Sequence, residues 1–147
     1  MAKINSVQLT NIPKEIIVGN KLFNLNVQIE IECHKIDLQL EMEYYLHAFI
    51  YDVKGKLDTP VLVPNWNNSF VFPIAFENSD EYLGKTQCLF TANKKNISIS
   101  LNIDLMLGKL KESSFPITKR LEAYVAIIPA IGVAGKHSSI HSVNMLH

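Results

Sequence analysis

From Phe23 to Cys33 the chain alternates. Phe23, Leu25, Val27, Ile29, Ile31 and Cys33 are apolar, and Asn24, Asn26, Gln28, Glu30 and Glu32 between them are polar. A strand turns successive side chains to opposite faces, so this period of two predicts a half-buried antiparallel strand. Burying each such apolar side chain stabilises by roughly 1.5–3 kcal/mol before chain entropy is set against it.

After Cys33 the phase moves to even positions: Ile36, Leu38, Leu40, Met42, Tyr44, Leu46, Ala48 and Ile50. A two-residue turn at His34-Lys35, pairing Cys33 with Ile36, would account for the switch. The even run is longer than the usual strand of about 3–10 residues, so a bulge or bend is expected near Tyr44-Tyr45.

The alternation returns at Ile97, Ile99, Leu101, Ile103, Leu105 and Leu107, separated by Ser98, Ser100, Asn102, Asp104 and Met106. Gln87 to Ala92 reads as the strand before it, with Asn93-Lys94-Lys95-Asn96 as a hairpin loop. Further strands are expected at Ser6–Asn11, Phe70–Phe76 and Leu121–Ile128, with a C-terminal candidate at Ile140–Met145. Pro13, Val18-Gly19-Asn20, Lys54-Gly55, Pro64, Asn78-Ser79-Asp80, Gly84 and Pro116 mark the turns. The longest linker falls between Lys54 and Ser69. A helical turn is allowed near Asp80–Leu83 or Gly108–Ser113. Val27, Ile29, Leu101 and Ile103 are expected in the core.

Many short strands with turn signals between them predict one all-β domain over residues 1–147. The expected architecture is an antiparallel β-sandwich of about seven or eight strands, immunoglobulin-like or C2-like, with a closed β-barrel as the alternative. The opening, Val7-Gln8-Leu9-Thr10 through Ile12-Pro13 and Val18-Gly19 to the Phe23 strand, resembles the general cadence of bacterial immunoglobulin-like modules. That resemblance implies a β-sandwich and carries no function with it.

Composition narrows the partners. The chain has 147 residues, 48% of them hydrophobic and only 19% charged, so a second chain is expected to cover part of the surface. Lys and Arg total 14 and Asp and Glu total 14, for a net charge of zero. No basic cluster offers a phosphate or anionic lipid surface, so neither nucleic acid nor a membrane is an expected partner. Near-zero net charge also removes the self-repulsion that opposes association. The N-terminal residues lack an apolar signal region, and the apolar run Ala123–Gly135 is too short to span a bilayer and is interrupted by Pro129 and Gly132. A cytoplasmic protein is expected, with Cys33 and Cys88 as buried thiols rather than a disulfide.

The chemistry-bearing residues do not converge on a reaction, and no enzyme and no cofactor are expected. There is no Gly-x-Ser-x-Gly. His34 follows Cys33, and neighbours on a strand point apart. Glu41 and Glu43 read as a solvated pair on one strand face. His137, His141 and His147 lack nearby ligands to complete a zinc shell. Asp52, Asp58, Glu77 and Asp80 are loop acids of the kind calcium takes, without loop-motif spacing. No metal site is therefore expected.

Two surfaces remain. Trp66, flanked by Asn65, Asn67 and Asn68, joins an apolar plate to amide donors and acceptors, which suits a sugar ring. A small-ligand module, glycan-binding or calcium-assisted, follows as one function. The other surface is the face of the Ile36–Val53 run opposite Leu46, Ala48 and Ile50. It carries Tyr45, His47, Phe49 and Tyr51, an aromatic row that must be covered by the chain's own loop or by another subunit. The leading expectation is a non-catalytic structural or interaction protein. It would self-associate as a homo-oligomer through that row, or bind another protein there, helped by the small-residue stretch Pro129–Gly135.

Overall fold

A computed structural model describes residues 1–15, 23–53, 61–65, 68–72, 81–107 and 118–130. The elements are β1 (Lys3–Thr10), β2 (Phe23–Glu32), α1 (Lys35–Gln39), β3 (Glu43–Asp52), β4 (Val61–Asn65), β5 (Asn68–Phe72), β6 (Glu81–Thr91), β7 (Asn96–Leu105) and β8 (Leu121–Pro129). Among the described residues the fold is all-β apart from one short helix. Two three-stranded antiparallel sheets, β1-β2-β7 and β6-β3-β8, are accompanied by the β4–β5 pair. The sheets stay open and pack on each other like a sandwich, which overturns the closed-barrel alternative. Among the described residues no helix is long and apolar enough to cross a membrane.

One core joins the two sheets. Leu25, Val27, Ile29, Ile31, Ile103 and Leu105 from the first sheet meet Tyr44, Leu46, Ala48, Ile50, Leu83 and Val125 from the second. Alternation places these residues, since β2 and β7 bury their odd positions and β3 its even ones. Leu101, expected beside Val27 in the core, is only half-buried at its margin. In β1 both Ile4 and Val7 pack on the core, because a register shift between Ile4 and Ser6 inserts one residue and changes the phase.

The even-phase run beginning at Ile36 is not one strand. His34 caps α1 instead of forming a hairpin turn with Lys35. Its ring Nδ1 accepts from Ile36 N–H, and its own N–H donates to the Asp37 carboxylate at 2.9 Å. This reciprocal cap satisfies donors that a turn would leave open, and a helical turn rotates the apolar positions out of strand phase. Ile36 and Leu40 are consequently exposed, and the polar Asp37 is buried. Glu41, at φ 47°, lies in the turn after α1, while Glu43 opens β3, so the two do not share a strand face. The expected irregularity at Tyr44-Tyr45 lies at the other end of β3, between Ile50 and Tyr51, where β6 carries Leu83 as an extra residue and buries it.

β6 and β7 are consecutive but pair in different sheets, β6 with β3 and β7 with β2, so Asn93–Asn96 is not a hairpin loop. Residues 92–95 carry the chain from one sheet to the other. Ala92 N–H is held by Met42 O, and Lys95 O by Cys33 N–H. Gly84 and the neighbouring Asp80–Leu83 stretch, expected as a turn or helical turn, are strand from Glu81 onward. The expected linker from Lys54 to Ser69 holds β4 and the start of β5. The candidates at Gly108–Ser113 and Ile140–Met145 lie outside the described residues, as does the end of the expected Phe70–Phe76 strand.

Candidate functional site

β3 is the central strand of the second sheet, and its outer face carries Tyr45, His47, Phe49 and Tyr51. The row is a ring ladder. Tyr45 and His47 lie 6.3 Å apart between centroids, and His47 and Phe49 lie 6.4 Å apart at 15°. Tyr124 on β8 extends it sideways, 6.4 Å from Phe49. Offset stacking of this kind is favourable beyond the apolar area it covers.

The four residues do not share one environment. Phe49 and His47 are buried within the chain, at 1% and 2% exposure, and Tyr45 and Tyr51 are half-buried. Burial pushes the His47 imidazole below its ordinary pKa, and the nearby Lys85 ammonium adds to the shift. The pair at the centre of the row is therefore a floor that the protomer already covers.

Register identifies what flanks this floor. Tyr45 stands between Leu89 on β6 and Ile128 on β8, and His47 between Gln87 and Ala126. Phe49 stands between Lys85 and Tyr124. Leu89 is 52% exposed, while Ile128 is half-buried. The other exposed large apolar residues among the described ones are Met1, Ile12, Ile36, Leu40 and Met106, none of them within a strand. Leu89 thus makes an apolar strand row with Tyr45 and Ile128 at one end of the sheet, with Lys85 and Glu122 toward the other. Sequence reasoning missed Leu89 and Ile128. The period-two pattern gives faces within a strand but not which strands lie side by side.

Of the Trp66 surface, Asn65 and Asn68 face each other as the closing pair of the β4–β5 ladder. Trp66 and Asn67 lie outside the described residues. Of the loop acids, Asp52 is buried and occupied. Its carboxylate accepts from Arg120 N–H at 2.9 Å and from Lys119 Nζ at 3.2 Å, and the Arg120 guanidinium donates to Val53 O. This clasp fastens the end of β3 to the start of β8. Asp58, Glu77 and Asp80 lie outside the described residues, as do His137, His141 and His147. Among the described residues no three His, Cys, Asp or Glu side chains cluster as metal ligands would.

A second polar cluster lies under α1. Burial raises the Asp37 carboxyl, but hydrogen bonds from His34 N–H, the Tyr44 hydroxyl and the Met1 ammonium outweigh it and hold the pKa below the usual value. The Met1 ammonium stands 3.3 Å from Asp37 Oδ1. Burial pushes the Cys33 thiol up, and the Asp37 charge adds to that, so Cys33 is a poor thiolate. Burial also pushes Cys88 up. Both cysteines are free thiols.

The outer face of the first sheet is a cross-strand amide and hydroxyl ladder. Asn26 donates to Ser100 Oγ at 2.7 Å and to Asn102 Oδ1 at 3.0 Å, and accepts from Thr10 Oγ1 at 2.9 Å. Gln28 donates to Ser98, which donates to Glu30. These groups are spent on one another across strands, which makes the face a fastening.

The chain matches no family model, no curated protein and no solved structure.

Proposed function

We propose that this chain is a non-catalytic structural or interaction protein that self-associates through the aromatic face of its second sheet. The contact is made by the row Leu89–Tyr45–Ile128 over the buried floor of His47 and Phe49. The observation that carries the reading is Leu89, a large apolar side chain within a strand, 52% exposed directly beside Tyr45. Interface cores favour aromatic and apolar side chains and exclude charge. The low charge content and zero net charge of the chain support the same reading.

Two antiparallel sheets around one core support an immunoglobulin-like or C2-like sandwich. The free thiols Cys33 and Cys88 support a reducing, cytoplasmic setting.

The test is mass measured by light scattering across concentration, for the native chain and Leu89→Glu. The native chain should be larger than a monomer. Leu89→Glu should yield a smaller, folded species, because a charge in a buried apolar contact loses solvation without gaining a partner. A native chain that stays monomeric at every concentration overturns the reading. A monomer whose melting responds to a sugar or to calcium would instead favour the small-ligand module at Asn65, Trp66, Asn67 and Asn68.

A further inference from the structure

We propose that the outer edge of β7 is a second association site, separate from the aromatic face, where another copy of this chain adds its own β7 antiparallel across a two-fold axis at Ser100. β7 ends the sheet order β1-β2-β7, and among the described residues no strand pairs with its outer edge.

Which backbone groups face outward follows from two hydrogen bonds. Lys95 O points toward the β2 side, accepting from Cys33 N–H, and Met106 N–H points away, donating to Leu83 O. In an antiparallel ladder the direction alternates with each residue. Odd residues of β7 therefore bond β2, and Ser98, Ser100 and Asn102 present N–H and C=O groups to the open edge.

Natural sheets block such edges with bulges, prolines or charges. The other edges of the two three-stranded sheets are so marked: β1 carries a register shift after Ile4, and β6 carries its own shift and Lys85, while β8 carries Glu122 and ends at Pro129. β7 keeps unbroken register with β2 from Asn96 to Leu105 and has no charge before Asp104.

The pattern is self-complementary. About Ser100, Ser98 faces Asn102 of the second copy and Ile99 faces its Leu101, so no like charges meet and each outward residue finds an outward partner. The inner side of this same stretch is also incompletely covered. Ile97, Ile99 and Leu101 are half-buried, whereas Ile103 and Leu105 are fully buried. A second β7 would supply apolar cover where it is lacking. Gly84 already abuts Asp104, which confines the pairing to Ser98–Asn102.

The test is residue-resolved amide exchange at low and high protein concentration. The Ser98, Ser100 and Asn102 amides should exchange freely when dilute and become protected when concentrated. Those of Ile99 and Leu101, bonded to β2, should be protected at both. Ser100→Pro removes an outward donor and leaves the backbone ladder to β2 intact, so the concentration dependence at Ser98 and Asn102 should be lost while Ile99 and Leu101 stay protected; dilute melting should fall only by the loss of the Asn26–Ser100 side-chain hydrogen bonds. If that variant does not fold, Ser100→Lys sets like charges together at the axis and should produce the same loss. Leu89→Glu should keep the β7 protection, so failure at this edge and failure at the aromatic face are separately visible. Free exchange at every concentration overturns the proposal. So does protection at every dilution, since the chain's own residues would then occupy the edge.

Discussion

The backbone carbonyl of Asp104 abuts Gly84 so closely that a Cβ on residue 84 would stand 2.5 Å from its oxygen and 3.1 Å from a methyl of Ile103. β6 and β7 part into different sheets at residues 92–95 and meet again here, sealed by Met106 N–H donating to Leu83 O at 2.8 Å. The sandwich closes along this side only because residue 84 lacks a side chain.

Gly84→Ala should therefore destabilise the protein. The obstructing atom is backbone, which cannot swing aside as a flexible side chain could, and overpacking costs about 1–3 kcal/mol. Chemical denaturation should show a lower midpoint with an unchanged slope. A variant as stable as the native chain would mean that the two strands separate without cost.

Ile29 and Leu101 separate core from margin. Ile29 is fully buried, and Ile29→Ala should cost ~2–5 kcal/mol by lost burial and a cavity. Leu101 is half-buried, and Leu101→Ala should cost clearly less. Equal losses would show that the β7 margin is as well covered as the β2 centre.

Phe49→Glu should lower melting rather than dissociate an assembly. Phe49 is buried in the protomer beside Tyr124, so an introduced carboxylate would be desolvated even without a partner chain. Leu89→Glu should leave melting at high dilution nearly unchanged. The two variants measured side by side separate cover by the chain itself from cover by a partner.

Asp52→Ala should loosen the join between β3 and β8. It removes the charged acceptor of the part-buried Arg120 N–H, and a hydrogen bond to a charged group is worth about 1.5–3 kcal/mol. Amide exchange at Val53, whose N–H donates to Arg120 O, should rise with it.

Stability should depend on pH through two groups. Asp37 has a folded pKa below its unfolded value, so its contribution is present above pH ~4 and is lost as pH falls through the folded value. Asp37→Asn should reduce stability at neutral pH and flatten the acid limb. His47 is held neutral by burial, so the unfolded chain takes up its proton first and stability declines as pH falls below ~6.5. His47→Phe should remove the slope in that range. A slope that persists in this variant would assign it to another group.

Alternation alone determined the strands β2 and β7 and which side of each is apolar, because a strand's side-chain period is two whatever its neighbours are. It also determined that Tyr45, His47, Phe49 and Tyr51 share one face of β3. Alternation could not separate Ile36–Met42 from the strand that follows. Those residues keep the apolar period, and only the exchange of hydrogen bonds between His34 and Asp37 makes a helical turn there. Nor could it show that Gly84 lies inside a strand, since glycine marks a turn locally and a close approach only in three dimensions. Which strands are neighbours is a long-range property. The placing of Leu89 and Ile128 beside Tyr45, the burial of Phe49 and the place of β7 at the end of the order β1-β2-β7 were therefore decided by how the two sheets pack, because pairing and cover depend on residues far apart in the chain.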